Sequence, residues 1–278
     1  MRHPRYALAV SLLALLVSFH SHAQAPKEYQ PQIGQQGKDV IWVPTPDEIV
    51  ERMLTMAQVK PTDYVVDLGA GDGKIAIMAA KKFGAKSLGI EYNPDMARHA
   101  QSNAVKAGVT DKAQIQQGDI FATDFTSATV VTMYLLPTLN LKLRPTLLAM
   151  RPGTRVVSHS FTMEDWQPDE TSTFDGRRAY FWVVPAQVQG AWIVKAGNES
   201  FELTLEQRFQ KLDGSMRMNA MQAGLRDATL HGASIAFSFV DEKGVMRQFS
   251  GRVNGAAMEG TLRTEGRSEE VRWNASKR

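Results

Sequence analysis

The chain of 278 residues has no cysteine. That absence excludes a disulfide framework, a thiolate metal site and a cysteine nucleophile. Its six histidines show no His-x-x-Glu-His or similar spacing, so no metal site is expected. After residue 25 no apolar run approaches the roughly 20 residues that a membrane-spanning helix needs. Charge of one sign is also scarce: the formal net charge is only +3, which gives no electrostatic case for nucleic acid as a partner. With 43% hydrophobic and 22% charged residues, the chain can build one large or two modest globular domains.

The first residues read as a targeting segment. Arg2 and Arg5 precede a run from Tyr6 to Phe19 made mostly of Ala, Leu and Val. Ser21-His22-Ala23 and Ala23-Gln24-Ala25 are both small-x-small cleavage sites. Pro26 would follow the second, so cleavage is expected after Ala23, with residues 1–23 as a signal peptide. The expectation is export, to the periplasm of a bacterial cell, the alternative being a membrane anchor through an uncleaved leader. Cleavage removes two basic residues and no acidic one, leaving a charge of +1.

Val65 to Gly73 carries the most chemistry: an apolar run ends in Asp67, and Gly69, Gly71 and Gly73 follow at alternate positions. A helical pattern starts at once with Lys74-Ile75-Ala76-Ile77. A buried strand, a tight glycine turn and a helix start form the layout of a nucleotide-type site at the edge of a parallel sheet. Glu91 ends the next short strand, eighteen residues past Gly73, where an acid accepts hydrogen bonds from ribose hydroxyls. A Gly-x-Gly-x-x-Gly fingerprint would need glycine at position 74, which is Lys74. Asp67 repels a pyrophosphate but suits a cofactor with an ammonium group. Charge therefore favours S-adenosylmethionine over NAD and disfavours an NAD-dependent oxidoreductase.

Residues 24–44 are rich in Gln, Gly and Pro and read as an extended arm. Thr45-Pro46-Asp47-Glu48 reads as a helix start, with Thr45 as cap, Pro46 at the first position and Glu48 completing a capping box. Strands and helices then alternate to Val184, including a helix over Leu139–Met150 and strands over Ala128–Leu135 and Thr154–Phe161. That rhythm predicts an α/β, doubly wound Rossmann-like sheet over residues 45–186. From Gln187 to residue 278 eight short alternating segments recur, separated by turns such as Leu212-Asp213-Gly214. They predict a small all-β sandwich or barrel whose core holds Trp192, Phe201, Phe209, Phe237, Phe239 and Trp273.

Asp67-Leu68-Gly69-Ala70-Gly71-Asp72-Gly73 resembles the first motif of the class I S-adenosylmethionine-dependent methyltransferase superfamily. Glu91 resembles its ribose-binding acid and Gly118-Asp119 its adenine-binding turn. Val43-Pro44-Thr45-Pro46, Asp72-Gly73-Lys74-Ile75, Thr132 to Pro137 and Arg155 to Phe161 are similar to a narrower group. That group comprises the lysine N-methyltransferases of the adenine nucleotide translocase and of the membrane-ring protein of ATP synthase, with their bacterial relatives. Ala70 and Lys74 depart from its usual serine and arginine, and the C-terminal β region lies outside the resemblance.

The resemblance implies that Asp67 orders the turn and faces the methionine ammonium. Backbone amides after Gly69, with Ala70, Gly71 and Gly73 in the loop, would face the methionine carboxylate. Asp119 would meet the adenine amino group, with Tyr92 and Ile120 flanking the ring. Tyr134, at the end of the fourth strand, reads either as the group that positions an acceptor amine or as a core tyrosine. An Asn-Pro-Pro-Tyr run is absent there, which disfavours a nucleic-acid amino group. His159 reads as the only histidine placed to act as a base, or as a structural residue. Glu164, Asp165 and Trp166 read as loop residues able to meet substrate. The expected activity is N-methylation of an amine such as a protein lysine, with S-adenosyl-L-methionine as cofactor. The competing reading is an exported, non-catalytic module that binds a nucleoside or a partner.

Overall fold

A computed structural model of the protein describes residues 29–278, so the expected signal peptide lies outside the described residues. The first helix, α1 (Asp47–Met56), buries Ile49, Val50, Met53, Leu54 and Met56 along one face. Its start differs from the expected capping box. Pro46 is the cap, no side chain bonds the first amides, and the Pro46 carbonyl accepts from the Ile49 and Val50 amides. The Thr45 hydroxyl is turned instead toward the ring of His159.

Strand β1 (Tyr64–Leu68) opens the alternation predicted from the sequence. It is followed by α2 (Lys74–Phe83), β2 (Lys86–Glu91), α3 (Pro94–Ala107), β3 (Ala113–Gln117) and β4 (Val130–Met133). Then come α4 (Pro137–Leu148), β5 (Arg155–His159), β6 (Glu170–Phe174) and β7 (Arg177–Val183). The strand order is β3-β2-β1-β4-β5-β7-β6. The first five are parallel, and β7 runs against both of its neighbours. The order reverses between β1 and β4, so their C-terminal tips flank the crevice where a doubly wound sheet binds ligands.

Two local features differ from the sequence pattern. Helix α4 starts two residues earlier than expected, at Pro137, whose fixed φ suits a first turn. The polar strand β6 has no apolar face, so no alternation marks it in the sequence. It forms because Asp175 and Gly176, both at positive φ, make a hairpin turn that pairs it with β7.

Beyond residue 186 the chain forms β8 (Gly190–Ala196), β9 (Glu199–Arg208), β10 (Lys211–Met218), β11 (Met221–Gly224) and β12 (Arg226–His231). It continues through β13 (Ser234–Val240), β14 (Met246–Asn254), β15 (Ala257–Thr264) and β16 (Glu270–Lys277). Pairing of β9 with β10 closes eight of these strands into a barrel, and β11 pairs along β10 as a short hairpin. Rings fill its interior: Phe237 and Phe249 stack at 4.8 Å, with Phe201, Phe239 and Trp273 packed around them. Phe209 is not part of this core. It sits at the β9–β10 turn, with φ 54°, and stacks on Trp166 of the first domain at 6.1 Å.

Candidate active site

The loop after β1 is left-handed at Gly69, Gly71 and Gly73, with φ of 77°, 55° and 82°. Glycine is required there for backbone reasons and at Gly71 also for space: a Cβ would lie 2.6 Å from the indole Nε1 of Trp42. Gly69 and Ala70 donate their amides to the Ile90 carbonyl, and Gly71 donates to Glu91 Oε2 at 2.9 Å. The Gly73 amide goes to the Ala70 carbonyl. The Gly69, Ala70 and Gly71 amides therefore hold the loop to the end of β2. The other Glu91 oxygen accepts the Asn93 amide, so one carboxylate joins the glycine loop to the start of α3.

Loop, strand tips and the segment before α1 enclose a cavity of about 280 Å³. Asp67, Gly69, Ala70, Gly71, Glu91, Tyr92, Asp119, Ile120 and Tyr134 all line it. Gly73 does not: it caps α2, and a Cβ there would meet Ala100 and Ile115.

Asp67 is buried at the tip of β1, with the Thr132 hydroxyl donating to it at 2.8 Å. Burial pushes its carboxyl up to about 7, against that hydrogen bond, and the charges of Asp72 and Glu91 add to the rise. Burial also raises Glu91, opposed by the backbone amides it accepts. A buried carboxylate short of partners, beside a second acid, fits a cationic group. An ammonium and a sulfonium both meet that requirement, and Glu91 keeps free lone pairs for hydroxyls.

The segment before α1 is not the extended arm expected. Gly34 donates to the Trp42 carbonyl, Trp42 to that of Gln35, and Gly37 to that of Val40, making a tight hairpin. Residues 35–45 of it line the cavity. Its tip is fastened by Lys38, whose ammonium donates to Asp119 Oδ2 at 2.7 Å and lies 4.7 Å from the Tyr92 ring centre. That hydrogen bond holds the Asp119 carboxyl below its usual range and raises Lys38. Lys38 and Trp42 carry no signal in the sequence. A Gln- and Gly-rich stretch has no period to read, and Lys38 meets a residue 81 positions away.

At the other end of the cavity stand Val43, Pro44, Tyr134, Leu136 and Phe161. Tyr134 packs on His159 with ring centres 4.0 Å apart and on Phe161 at 6.2 Å. His159 is only 2% exposed and does not line the cavity. Burial, helped by the charge of Arg177, lowers it to about 4, so it is a neutral imidazole at neutral pH. Its Nδ1 lies 3.3 Å from the Thr45 hydroxyl. It is a support behind Tyr134, not a base facing substrate. Trp166 is fully buried, Asp165 pairs with Arg144 and Arg208, and Glu164 is exposed, so none of the three meets the cavity.

The ANTKMT methyltransferase domain model matches residues 67–170, ending before the barrel. A protein-lysine N-methyltransferase of Saccharolobus islandicus is 49% identical over 133 residues, 47% of this chain and 83% of that protein. The mouse adenine nucleotide translocase lysine N-methyltransferase is 33% identical over 121 residues, 43% of this chain, and the chain spans about half (52%) of its length. Among solved structures, an RNA methyltransferase from Salinibacter ruber in complex with S-adenosyl-L-homocysteine is 50% identical. It aligns with a TM-score of 0.52 over 52% of this chain and 96% of its own.

Proposed function

This chain belongs to the ANTKMT family and is an S-adenosylmethionine-dependent methyltransferase; from that premise we propose that its acceptor is the ε-amine of a lysine in a protein. The observation that carries the proposal is the division of the cavity. One end is lined by Asp67, Glu91 and Asp119, and the other by Tyr134, Leu136 and Phe161 without a charge. The cofactor supplies a methyl group on a sulfonium. Asp67 would face the ammonium of that donor, Glu91 its ribose hydroxyls, and Tyr92 and Ile120 the two faces of its adenine. Lys38 on Asp119 and Trp42 against Gly71 hold the hairpin at the cavity, where it would exclude water from a bound donor.

A lysine amine reacts only when neutral, and its ordinary pKa is about 10.4. Apolar walls disfavour the ammonium and so favour the reactive form. Tyr134, held by His159 and Phe161, would orient the nitrogen through its hydroxyl in line with the donor. The names of the Saccharolobus and mouse relatives support a lysine acceptor.

The purified protein with isotope-labelled S-adenosylmethionine and cell-envelope proteins should form S-adenosylhomocysteine and add one to three methyl groups to lysines, read by mass spectrometry. Label entering RNA in a parallel reaction, with none in protein, would refute the lysine reading. Absence of turnover with retained cofactor binding would favour the non-catalytic module. The leader pattern supports export with cleavage after Ala23 as part of the same proposal. N-terminal sequencing of the cell-derived protein tests it, and a product beginning at Met1 would refute cleavage.

A further inference from the structure

Seven large apolar residues are exposed among those described, and four of them, Ile41, Val43, Tyr92 and Leu136, line the cavity above the strand tips. A fifth, Ile33, belongs to the same hairpin. Lys38 lies against Tyr92, but Ile41, Val43 and Leu136 are open to solvent at 55%, 39% and 40%. Scattered exposed apolar side chains are ordinary; a cluster around a single opening marks a binding surface.

The distribution of charge narrows the occupant. Every charged residue lining the cavity comes from the hairpin tip, the end of β1 with the glycine loop and helix start after it, or the ends of β2 and β3 and the turns that follow them. Lys38 is paired with Asp119, and Lys74 with Asp47, so the charge left over there is negative. Val43, Pro44, Tyr134, Leu136, Leu139 and Phe161 supply the remaining wall without any charge. Acidic residues beside a target lysine would be repelled by Asp39, Asp67, Asp72 and Glu91. Basic ones would be drawn to those carboxylates and away from the uncharged wall of Val43, Pro44, Leu136 and Phe161.

We propose that Ile41, Val43 and Leu136 form a docking rim for an apolar stretch of polypeptide immediately flanking the acceptor lysine. The inference rests on the lysine reading and adds the sequence class of the substrate. Docking of apolar flanks seals the opening, removes water from around the amine and favours its neutral form. The rim thus couples selection of the sequence to activation of the nucleophile.

The test uses the whole protein, S-adenosylmethionine and peptides of equal length bearing one lysine between Leu and Val, between Gly and Ser, or between Glu residues. A lysine-free peptide and an RNA transcript run in parallel. The apolar peptide is expected to show a KM about tenfold below the Gly/Ser peptide, and the acidic peptide no measurable methylation. Leu136→Asp should raise the apolar peptide's KM about tenfold while calorimetry shows unaltered affinity for S-adenosylmethionine. Leu136 is the N-cap of α4, in extended backbone, where Asp is a favoured residue, so this variant keeps the fold.

Equal KM values for the apolar and Gly/Ser peptides, or an unchanged KM in Leu136→Asp, would overturn the rim while leaving the lysine reading intact. Methyl transfer to RNA and to no lysine peptide would overturn both. Conversion of a dimer to a monomer by Leu136→Asp in sedimentation would also overturn it, since the patch would then be covered by a second copy.

Discussion

Asp67 shows how much one buried carboxyl decides. Its ordinary value is 3.8, and the fold raises it to about 7. Between those values the folded protein keeps a proton that the unfolded chain has lost. Stability of the ligand-free protein therefore falls as pH rises through that window, by at most about 1.4 kcal/mol per unit. A bound cation reverses the preference, so cofactor binding near pH 7 should release a proton. Calorimetry in buffers of different ionisation enthalpy measures that release, and Asp67→Asn should abolish it while weakening binding about ten- to a hundredfold. His159 has the opposite sign. Its value drops from 6.5 to about 4, so the unfolded chain takes the proton first. The stability it contributes is complete above pH 6.5 and is lost as pH falls toward 4. His159→Phe keeps a ring behind Tyr134 and should flatten the acid side of a Tm-against-pH curve between 4 and 6.5.

The hairpin and the glycine loop work as one element. Trp42 rests where any side chain on residue 71 would project, so the loop's lack of a Cβ is what lets the hairpin close. Gly71→Ala should cost about 1–3 kcal/mol from left-handed strain, read by denaturant unfolding. It should also displace the indole and speed hydrogen exchange at the Trp42 amide, which donates to Gln35. Gly108→Ala is the control: φ is 69°, but nothing lies within 4 Å of its Cβ, so strain should appear without any change at the hairpin. The elements of this sheet are legible in the sequence wherever apolar periodicity meets turn chemistry. β6 is not, because an exposed edge strand takes its stability from pairing with β7 and needs no apolar face.

The two domains meet through the turn between β9 and β10 and through the β12–β13 turn, where Gly232 lies against Gly153 and Val183. Phe209 leaves the barrel at the first of these turns and stacks on Trp166, with Arg144 lying 5.4 Å from its ring. Gln210 donates to the Gln167 carbonyl and to Asp169, and the Ala186 amide donates to the Gly232 carbonyl. Phe209→Ala would remove the ring that covers Trp166 and Arg144. It should lower stability by about 2–4 kcal/mol and split thermal unfolding into two transitions by calorimetry, the barrel core being left untouched.

By itself the sequence determined the alternating strands and helices of the doubly wound sheet apart from β6, the eight barrel strands, and the placing of Asp67, Glu91 and Asp119 at or just beyond strand ends beside one cavity. Each of these is written in local periods and short spacings, which physics reads over a few residues. Tertiary structure alone decided that a Gln- and Gly-rich stretch becomes the hairpin over the cavity, and that Lys38 reaches Asp119. It also decided that His159 stands behind Tyr134 and that Phe209 faces Trp166. Those contacts join residues 25 to 81 positions apart, and nothing in the pattern of either partner announces the other.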